Sequence, residues 1–147
     1  MKSLHYSTAI DAPRAKVWEI MLGPKTYPEW TSAAWPGGSY EGDWSEGSEM
    51  RFEGEEGGGT AARITSVRPN ESISAEHFAV IKEDGSLDTE SDMAKGWIGT
   101  TESYTFNNRN GGTDVVVDMN VPPDWVSMFD EGWPKALQAL KELVEKS

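Results

Sequence analysis

The hydrophobic pattern is clearest at the end of the chain, where 121–147 has a helical period. Its apolar residues recur every three or four positions, as on one face of a helix: Val126, Phe129, Trp133, Leu137, Leu140 and Val144. Asp124 is predicted to cap this helix, and Pro134 to kink it by removing a hydrogen bond to Asp130. About twenty helical residues span roughly 30 Å, the width of a small domain, so we expect this helix to organise the core.

The beginning of the chain predicts one strand followed by two helices. Alternating apolar and polar residues over 4–10 indicate a strand with one inward face. Pro13 favours a helix start, and the pattern that follows predicts a helix over 13–22 that Gly23 ends. A second, short helical turn is predicted over 26–30.

The middle of the chain has the turn residues of an antiparallel meander. Short β-branched segments predict six strands, at approximately 39–44, 48–54, 60–68, 72–82, 97–106 and 113–121. Asn110-Gly111 is a strong hairpin signal, and Thr89-Glu90-Ser91-Asp92 predicts one helical turn in an acidic connection suited to be a lid. Strands segregated from helices predict a single α+β domain over 1–147, with a curved antiparallel sheet wrapped around the terminal helix.

Composition excludes several classes of function. The chain has 13 Lys and Arg against 25 Asp and Glu, a formal net charge of -12, which disfavours nucleic-acid binding and electrostatic membrane docking. It has no cysteine, and no apolar run that resembles a signal peptide or a membrane span. We therefore expect a cytoplasmic protein without membrane insertion. Its 7 tryptophans suit either a packed core or the walls of an apolar pocket.

Signatures of catalysis and metal binding are missing from the sequence. The two histidines, His5 and His77, are far apart, and neither a paired-histidine zinc motif nor Gly-x-Ser-x-Gly occurs. The run 54–59 is glycine-rich but lacks the lysine of a phosphate-binding loop, so we interpret it as a hairpin turn. The acids of 83–92 do not have the spacing of a calcium loop. We predict no metal and no cofactor.

Two ionisable residues are predicted to point inward from neighbouring strands. The more apolar face of 72–82 is Ile73, Ala75, His77, Ala79 and Ile81, and that of 97–106 is Ile98, Tyr104 and Phe106, with Glu102 in register. If these strands pair, His77 and Glu102 meet in a poorly solvated interior, where an unpaired charge is costly. We interpret them first as a mutually satisfied pair that fixes the sheet register. The alternatives are an anchor for a ligand head group, or an acid–base pair in which His77 moves protons and Glu102 orients it.

The remaining candidate site residues are aromatic. With the polar pair His77 and Glu102, the predicted ligand-binding residues are Trp30, Trp35, Trp97, Tyr104, Phe129 and Trp133. Trp97 is expected to begin the strand that follows the lid. Plain core packing is at least as good an interpretation of each aromatic residue.

Several motifs, by their order and spacing, resemble the START-like superfamily: Ile10-Asp11-Ala12-Pro13, Val17-Trp18, Tyr27-Pro28-Glu29-Trp30, Gly42-Asp43-Trp44 with Gly47, Pro69-Asn70, and Trp133 with Leu137 and Leu140. This superfamily has the helix-grip, or SRPBCC, fold of birch-pollen-allergen-like proteins and polyketide cyclases. The chain is most similar to single-domain proteins related to the C-terminal domain of the activator of the Hsp90 ATPase. The resemblance implies a seven-stranded sheet gripping the C-terminal helix, two short helices after the first strand, and a cavity that binds apolar or amphipathic molecules.

The resemblance does not imply one activity, because its members include lipid carriers, hormone receptors, cyclases and chaperone activators. We expect binding of a small apolar or amphipathic molecule, without turnover. The first alternative is a protein-interaction module that assists a chaperone, and the second is a polyketide-cyclase-like enzyme that uses His77 and Glu102. Full co-chaperones of this kind carry an additional N-terminal domain, whereas this sequence begins at the first predicted strand, so chaperone activation stays an alternative.

Overall fold

The computed structural model describes residues 1–55 and 57–147, and it confirms the predicted α+β architecture. The strands are β1 (Lys2–Ile10), β2 (Ser39–Glu41), β3 (Glu49–Glu53), β4 (Gly59–Arg68), β5 (Ser72–Ile81), β6 (Leu87–Asp88), β7 (Thr101–Arg109) and β8 (Gly112–Val121). The helices are α1 (Arg14–Leu22), α2 (Tyr27–Thr31), α3 (Asp92–Trp97) and α4 (Val126–Lys146), with a 3-10 turn over Pro123–Trp125. Residue 56 of the predicted turn 54–59 lies outside the described residues.

All the strands belong to one antiparallel sheet. Seven of them follow the order β1-β8-β7-β5-β4-β3-β2, and the short β6 pairs with β5 as an eighth strand. The hairpin between β7 and β8 turns at Asn110 and Gly111, whose φ angles of 49 and 88 degrees are the positive values of a tight two-residue turn. The predicted hairpin and the seven-stranded sheet are therefore confirmed.

The pairing of β4 with β5 contains an irregularity that changes which side chains face inward. Ala62 pairs with His77, but its neighbour Ala61 pairs with Ala79, so β5 carries one extra residue, Phe78, at this point. A bulge of this kind reverses the alternation of side chains beyond it, because the strand period is two.

This bulge makes the predicted inward face of β5 right in its first half and wrong in its second. Ile73 and Ala75 belong to the main core, and His77 is buried beside them. Ala79 and Ile81 instead form a separate small cluster with Ala61. Val80 is the residue of the second half that packs against the main core.

The predicted strand 97–106 is wrong at its beginning, because its first residue belongs to a helix. The Ser91 hydroxyl accepts a hydrogen bond of 3.1 Å from the Ala94 amide, as expected of an N-cap, and starts α3. Trp97 is the last residue of α3, so it does not begin a strand. Ile98 follows this helix and therefore lies outside β7, not on its inward face.

The C-terminal helix has the predicted buried stripe but begins differently. Asp124 lies inside the 3-10 turn, and Trp125 takes the N-cap position without a side-chain hydrogen bond, so the predicted Asp124 cap is wrong. The preceding prolines start the turn early, which places Asp124 within it. The helix continues through Pro134, which lies on its exposed face, and the kink stays a prediction. The stripe from Phe129 to Val144 is buried.

Hydrogen bonds tie α4 to the edge strand β1 along much of its length. The Tyr6 hydroxyl donates to the Asp130 carboxylate at 2.6 Å, and the Lys141 ammonium donates to the Ala9 carbonyl at 2.9 Å. The helix therefore runs in the same direction as β1.

Gly132 is buried in α4, and the indole of Trp35 lies directly over it. A Cβ atom at Gly132 would meet Trp35 Cζ2 at 2.8 Å and Nε1 at 3.1 Å. The Trp35 ring also packs edge-on against Trp133, with ring centroids 5.2 Å apart. The glycine is therefore required by close packing of an aromatic side chain on the helix.

We predict that Gly132→Ala has opposite effects in two backgrounds. In the wild-type protein it lowers the free energy of unfolding by about 1 kcal/mol or more, because the new methyl group displaces the Trp35 indole. In a Trp35→Leu background it raises that free energy by about 0.5–1 kcal/mol, because alanine favours the helix. Urea unfolding of the four proteins measures both effects, and equal changes in the two backgrounds would contradict this packing.

Candidate ligand-binding site

A cavity of about 460 Å³ lies between the sheet and the first half of α4. The six aromatic residues predicted from the sequence all line it: Trp30, Trp35, Trp97, Tyr104, Phe129 and Trp133. His77 and Glu102 line it as well. The structure thus brings the eight predicted residues to one place, and their contact with a ligand stays a prediction.

Two of the tryptophans in the cavity wall, Trp30 and Trp133, have hydrogen-bonded indole groups. Trp30 Nε1 donates to the carbonyl of Met21 at 3.0 Å, and Trp133 Nε1 donates to the sulfur of Met119 at 3.2 Å. The two rings also lie close to each other, with centroids 6.1 Å apart. Because their polar edges are satisfied, these side chains form a wall that is in place before any ligand binds.

Sequence reasoning missed several residues of the site. Tyr27, Phe52, Met93 and Trp125 line the cavity but are not among the predicted residues. Tyr27 has a signal in the sequence, because it lies three positions before Trp30 in the same short helix and so shares its face. The position of Phe52 at the cavity depends on the pairing of β3 with β4. The pattern of apolar and polar residues along the chain does not reveal this pairing.

The cavity meets solvent between α3 and the beginning of α4. Met93 of α3 and Met128 of α4 both line the cavity, yet they are 54% and 38% exposed. Their positions mark the mouth of the cavity. Methionine is flexible and polarisable, so these side chains are suited to adapt to a molecule that enters.

His77 and Glu102 lie together on the cavity wall, as the strand pattern predicts. Ala75 pairs with Glu102, so His77, two residues further along β5, is its diagonal neighbour on the same face. His77 Nε2 lies 2.9 Å from Glu102 Oε1, and the side chains are only 4% and 14% exposed. The backbone of His77 is fixed to the chain before β7 by a hydrogen bond of 2.8 Å to the Thr100 carbonyl.

Two tyrosines complete the polar part of the cavity. The Tyr104 hydroxyl lies 3.4 Å from Glu102 Oε2, a long hydrogen bond. Burial raises the pKa of Tyr104 well above its usual value, and the Glu102 charge adds to this effect. Burial also raises the pKa of Tyr27, again with a contribution from Glu102. Both phenols therefore remain protonated and able to donate hydrogen bonds.

These raised pKa values predict a specific loss of stability in alkali. Above about pH 10 the unfolded state releases the protons of Tyr27 and Tyr104 while the folded state keeps them, so the free energy of unfolding falls as pH rises. Each tyrosine contributes a slope of about 1.4 kcal/mol per pH unit. Urea unfolding of wild type and Tyr104→Phe between pH 9 and pH 11 should give a shallower slope for the variant, and identical slopes would show that burial of Tyr104 is not a cause of the loss.

The geometry of His77 does not suit proton transfer to a bound molecule. Its Nε2 is engaged by Glu102, and its Nδ1 is buried without a hydrogen-bond partner within the described part of the chain. A general base must reach the proton that it abstracts, directly or through one water. The arrangement therefore supports binding better than acid–base catalysis.

Other kinds of site are not found among the described residues. Across 1–55 and 57–147, no group of three or more His, Asp or Glu side chains is arranged to hold a metal ion. None of the helices in these ranges combines the length and the apolar character needed to cross a membrane.

Comparisons with known proteins agree with the observed fold. The family model of activator of Hsp90 ATPase homolog 1-like protein matches residues 11–145. A search of curated protein sequences returns no significant match. Among solved structures, protein MLL2253 from Mesorhizobium loti is similar with a TM-score of 0.77 and 16% identity, covering 99% of this chain and 98% of that one.

Two further solved structures connect the fold to named proteins. The Aha1 dimer from Colwellia psychrerythraea has a TM-score of 0.74 and 20% identity, covering 99% of this chain and 97% of that one. Ara h 8.0201 has a TM-score of 0.66 and 11% identity, with 99% of both chains covered. At such low identities these likenesses establish the helix-grip fold, and the function must be argued from the cavity.

Proposed function

This chain belongs to the family of activator of Hsp90 ATPase homolog 1-like proteins, and we propose that it binds a small apolar or amphipathic molecule between its sheet and α4. The observation that carries the proposal is the cavity of about 460 Å³. Small-molecule sites are typically cavities of about 300–1,000 Å³ with apolar walls and a few well-placed polar groups. This cavity has both properties.

The cavity wall has an apolar aromatic part and a smaller polar part, and this division suggests how a ligand lies in the cavity. The aromatic side chains of α2, α3 and α4, together with Trp35 after α2, contact its apolar body. The ring centroid of Phe129 lies 6.2 Å from those of both Trp35 and Trp97, so these three rings form one continuous surface. A polar end group lies toward Glu102 and the Tyr104 hydroxyl, where hydrogen-bonding groups are concentrated. Entry is between Met93 and Met128 at the mouth.

The alternatives have weaker support from the described residues. A cyclase-like reaction needs an accessible acid–base group, and the ring nitrogens of His77 are engaged or buried. A chaperone-assisting role has the support of the family match. However, two of the large apolar side chains that are exposed, Met93 and Met128, belong to the mouth of the cavity, so ligand entry accounts for them.

We predict that the uncharged fluorescent probe N-phenyl-1-naphthylamine binds to the wild-type protein saturably, at one site per chain. Trp35→Leu should weaken its binding about three- to tenfold, because one aromatic face of the wall is lost. The measurement is a fluorescence titration with excitation beyond the tryptophan absorption band.

Trp18→Leu is the matched control for this experiment. Trp18 is also partly buried, and it packs against Phe106 with ring centroids 5.3 Å apart, but it does not line the cavity. Its replacement should leave probe affinity unchanged. Probe binding that does not saturate, or an equal loss in both variants, would contradict the proposed site.

A further inference from the structure

We infer that the cavity selects a positively charged amphipathic molecule, an amine or quaternary ammonium with an apolar body, whose cationic group lies beside Glu102. This inference rests on the proposed function, because it names the chemical class that the same cavity prefers.

The charge of the cavity wall favours a cation. Glu102 is the one acidic residue among the lining residues that the structure describes, and none of those residues is Lys or Arg. An anionic head group, such as the carboxylate of a fatty acid, would therefore meet a carboxylate and find no cation there. A positively charged group would find one carboxylate and several aromatic rings.

His77 contacts Glu102 but does not neutralise it. A doubly protonated imidazole needs an acceptor for each N–H, but Nδ1 is buried without a partner among the described residues. An unpaired buried N–H costs about 1–3 kcal/mol, and more when the group is charged. The neutral ring, with its proton on Nε2 donated to Glu102, avoids this cost. Glu102 then keeps its negative charge on a wall that is only 14% exposed.

The aromatic rings of the wall add to the attraction for a cation. Tryptophan and tyrosine rings attract cations by their quadrupole, and cages of such rings bind quaternary ammonium groups. Tyr27, Tyr104 and Trp97 line the same cavity as Glu102. His77, which contacts Glu102, has its ring centroid 5.1 Å from that of Trp97, so carboxylate and aromatic side chains lie within one small region.

The charge of the whole chain acts in the same direction. A formal net charge of -12 raises the local concentration of cations and repels anions, although salt screens this field beyond about 8 Å at physiological ionic strength. The field alone does not locate a ligand, so the test must separate it from the effect of Glu102.

The test uses three probes with the same apolar body and different charges: 2-(2-naphthyl)ethylammonium, 2-(2-naphthyl)ethanol and 2-naphthylacetate. Their dissociation constants are measured at pH 7 and 0.15 M salt from the tryptophan indole signals of the isotopically labelled protein. We expect the ammonium compound to bind roughly tenfold or more tightly than the alcohol, and the carboxylate to bind most weakly.

Two variants identify the source of the preference. Glu102→Gln removes the charge but keeps an oxygen that accepts the hydrogen bond of His77, and it should bring the ammonium and alcohol within about threefold of each other. Glu76→Gln changes the net charge equally at an exposed position of β5 that does not line the cavity, and it should keep the full preference.

The outcomes distinguish failure of the inference from failure of the proposed function. Equal binding of the three probes by wild type, tightest binding of the carboxylate, or a full preference retained by Glu102→Gln would overturn the cationic assignment while leaving the cavity as a binding site. If none of the probes binds, both the inference and the proposed function are wrong. The wild-type series tests the cationic preference even if Glu102→Gln fails to fold.

Discussion

The apolar face of α4 has to be covered by the sheet, and the two halves of the helix are covered differently. Toward its end, Leu137, Leu140 and Val144 are almost completely buried in the main core and do not line the cavity. Toward its beginning, Phe129 and Trp133 face the cavity. Aliphatic side chains fill the space under the second half of the helix, whereas the rings of the first half pack against one another along the wall of the cavity. The pocket therefore lies at the aromatic half of the helix, and the aliphatic half holds the helix in place.

Hydrogen bonds from the edge strand support both halves of the helix. The Tyr6 contact with Asp130 lies at the aromatic half of α4, and the Lys141 contact with Ala9 lies at the aliphatic half. The helix is thus held along its length, and it does not need to collapse into the cavity to be stable. Gly132 completes the arrangement, because it lets the Trp35 ring close on the helix and contribute to the wall.

The polar pair on the wall is difficult to explain by stability alone. A buried carboxylate is costly to desolvate, and an apolar pair of similar size is frequently as stable as a buried polar pair. Glu102 and His77 occupy neighbouring strands where two apolar residues would continue the core. A ligand that contacts the Glu102 carboxylate gives a reason for the presence of this residue on the cavity wall.

Much of this arrangement can be predicted from the sequence, because it follows from periodicity. The period of α4 predicts its buried face, and the alternation in β5 and β7 places His77 and Glu102 side by side. The local pattern assigns Trp97 to the wrong element, since a tryptophan followed by β-branched residues favours a strand, while the Ser91 cap starts a helix that includes it. Its position at the cavity can still be predicted because both assignments place it after the acidic connection.

The other errors arise from interactions that the local pattern does not contain. The reversal at Ala79 depends on the register of β4 against β5, which is decided by pairing and not by the residues of one strand. Likewise, Phe52 lies at the cavity because of the way β3 pairs with β4, which the residues of β3 alone do not reveal. Asp124 has the right chemistry for a cap, but the 3-10 turn has its N-cap at Pro122, two positions before Asp124.

If the space between the sheet and α4 holds a small molecule, the protons of that molecule must lie close to the side chains of the cavity wall. The most direct measurement is an isotope-filtered NOE experiment on the labelled protein saturated with N-phenyl-1-naphthylamine. We predict contacts from the probe to side-chain protons of Trp35, Phe129 and Met128. Contacts confined to residues that do not line the cavity, such as the exposed Leu87, would contradict binding in this space.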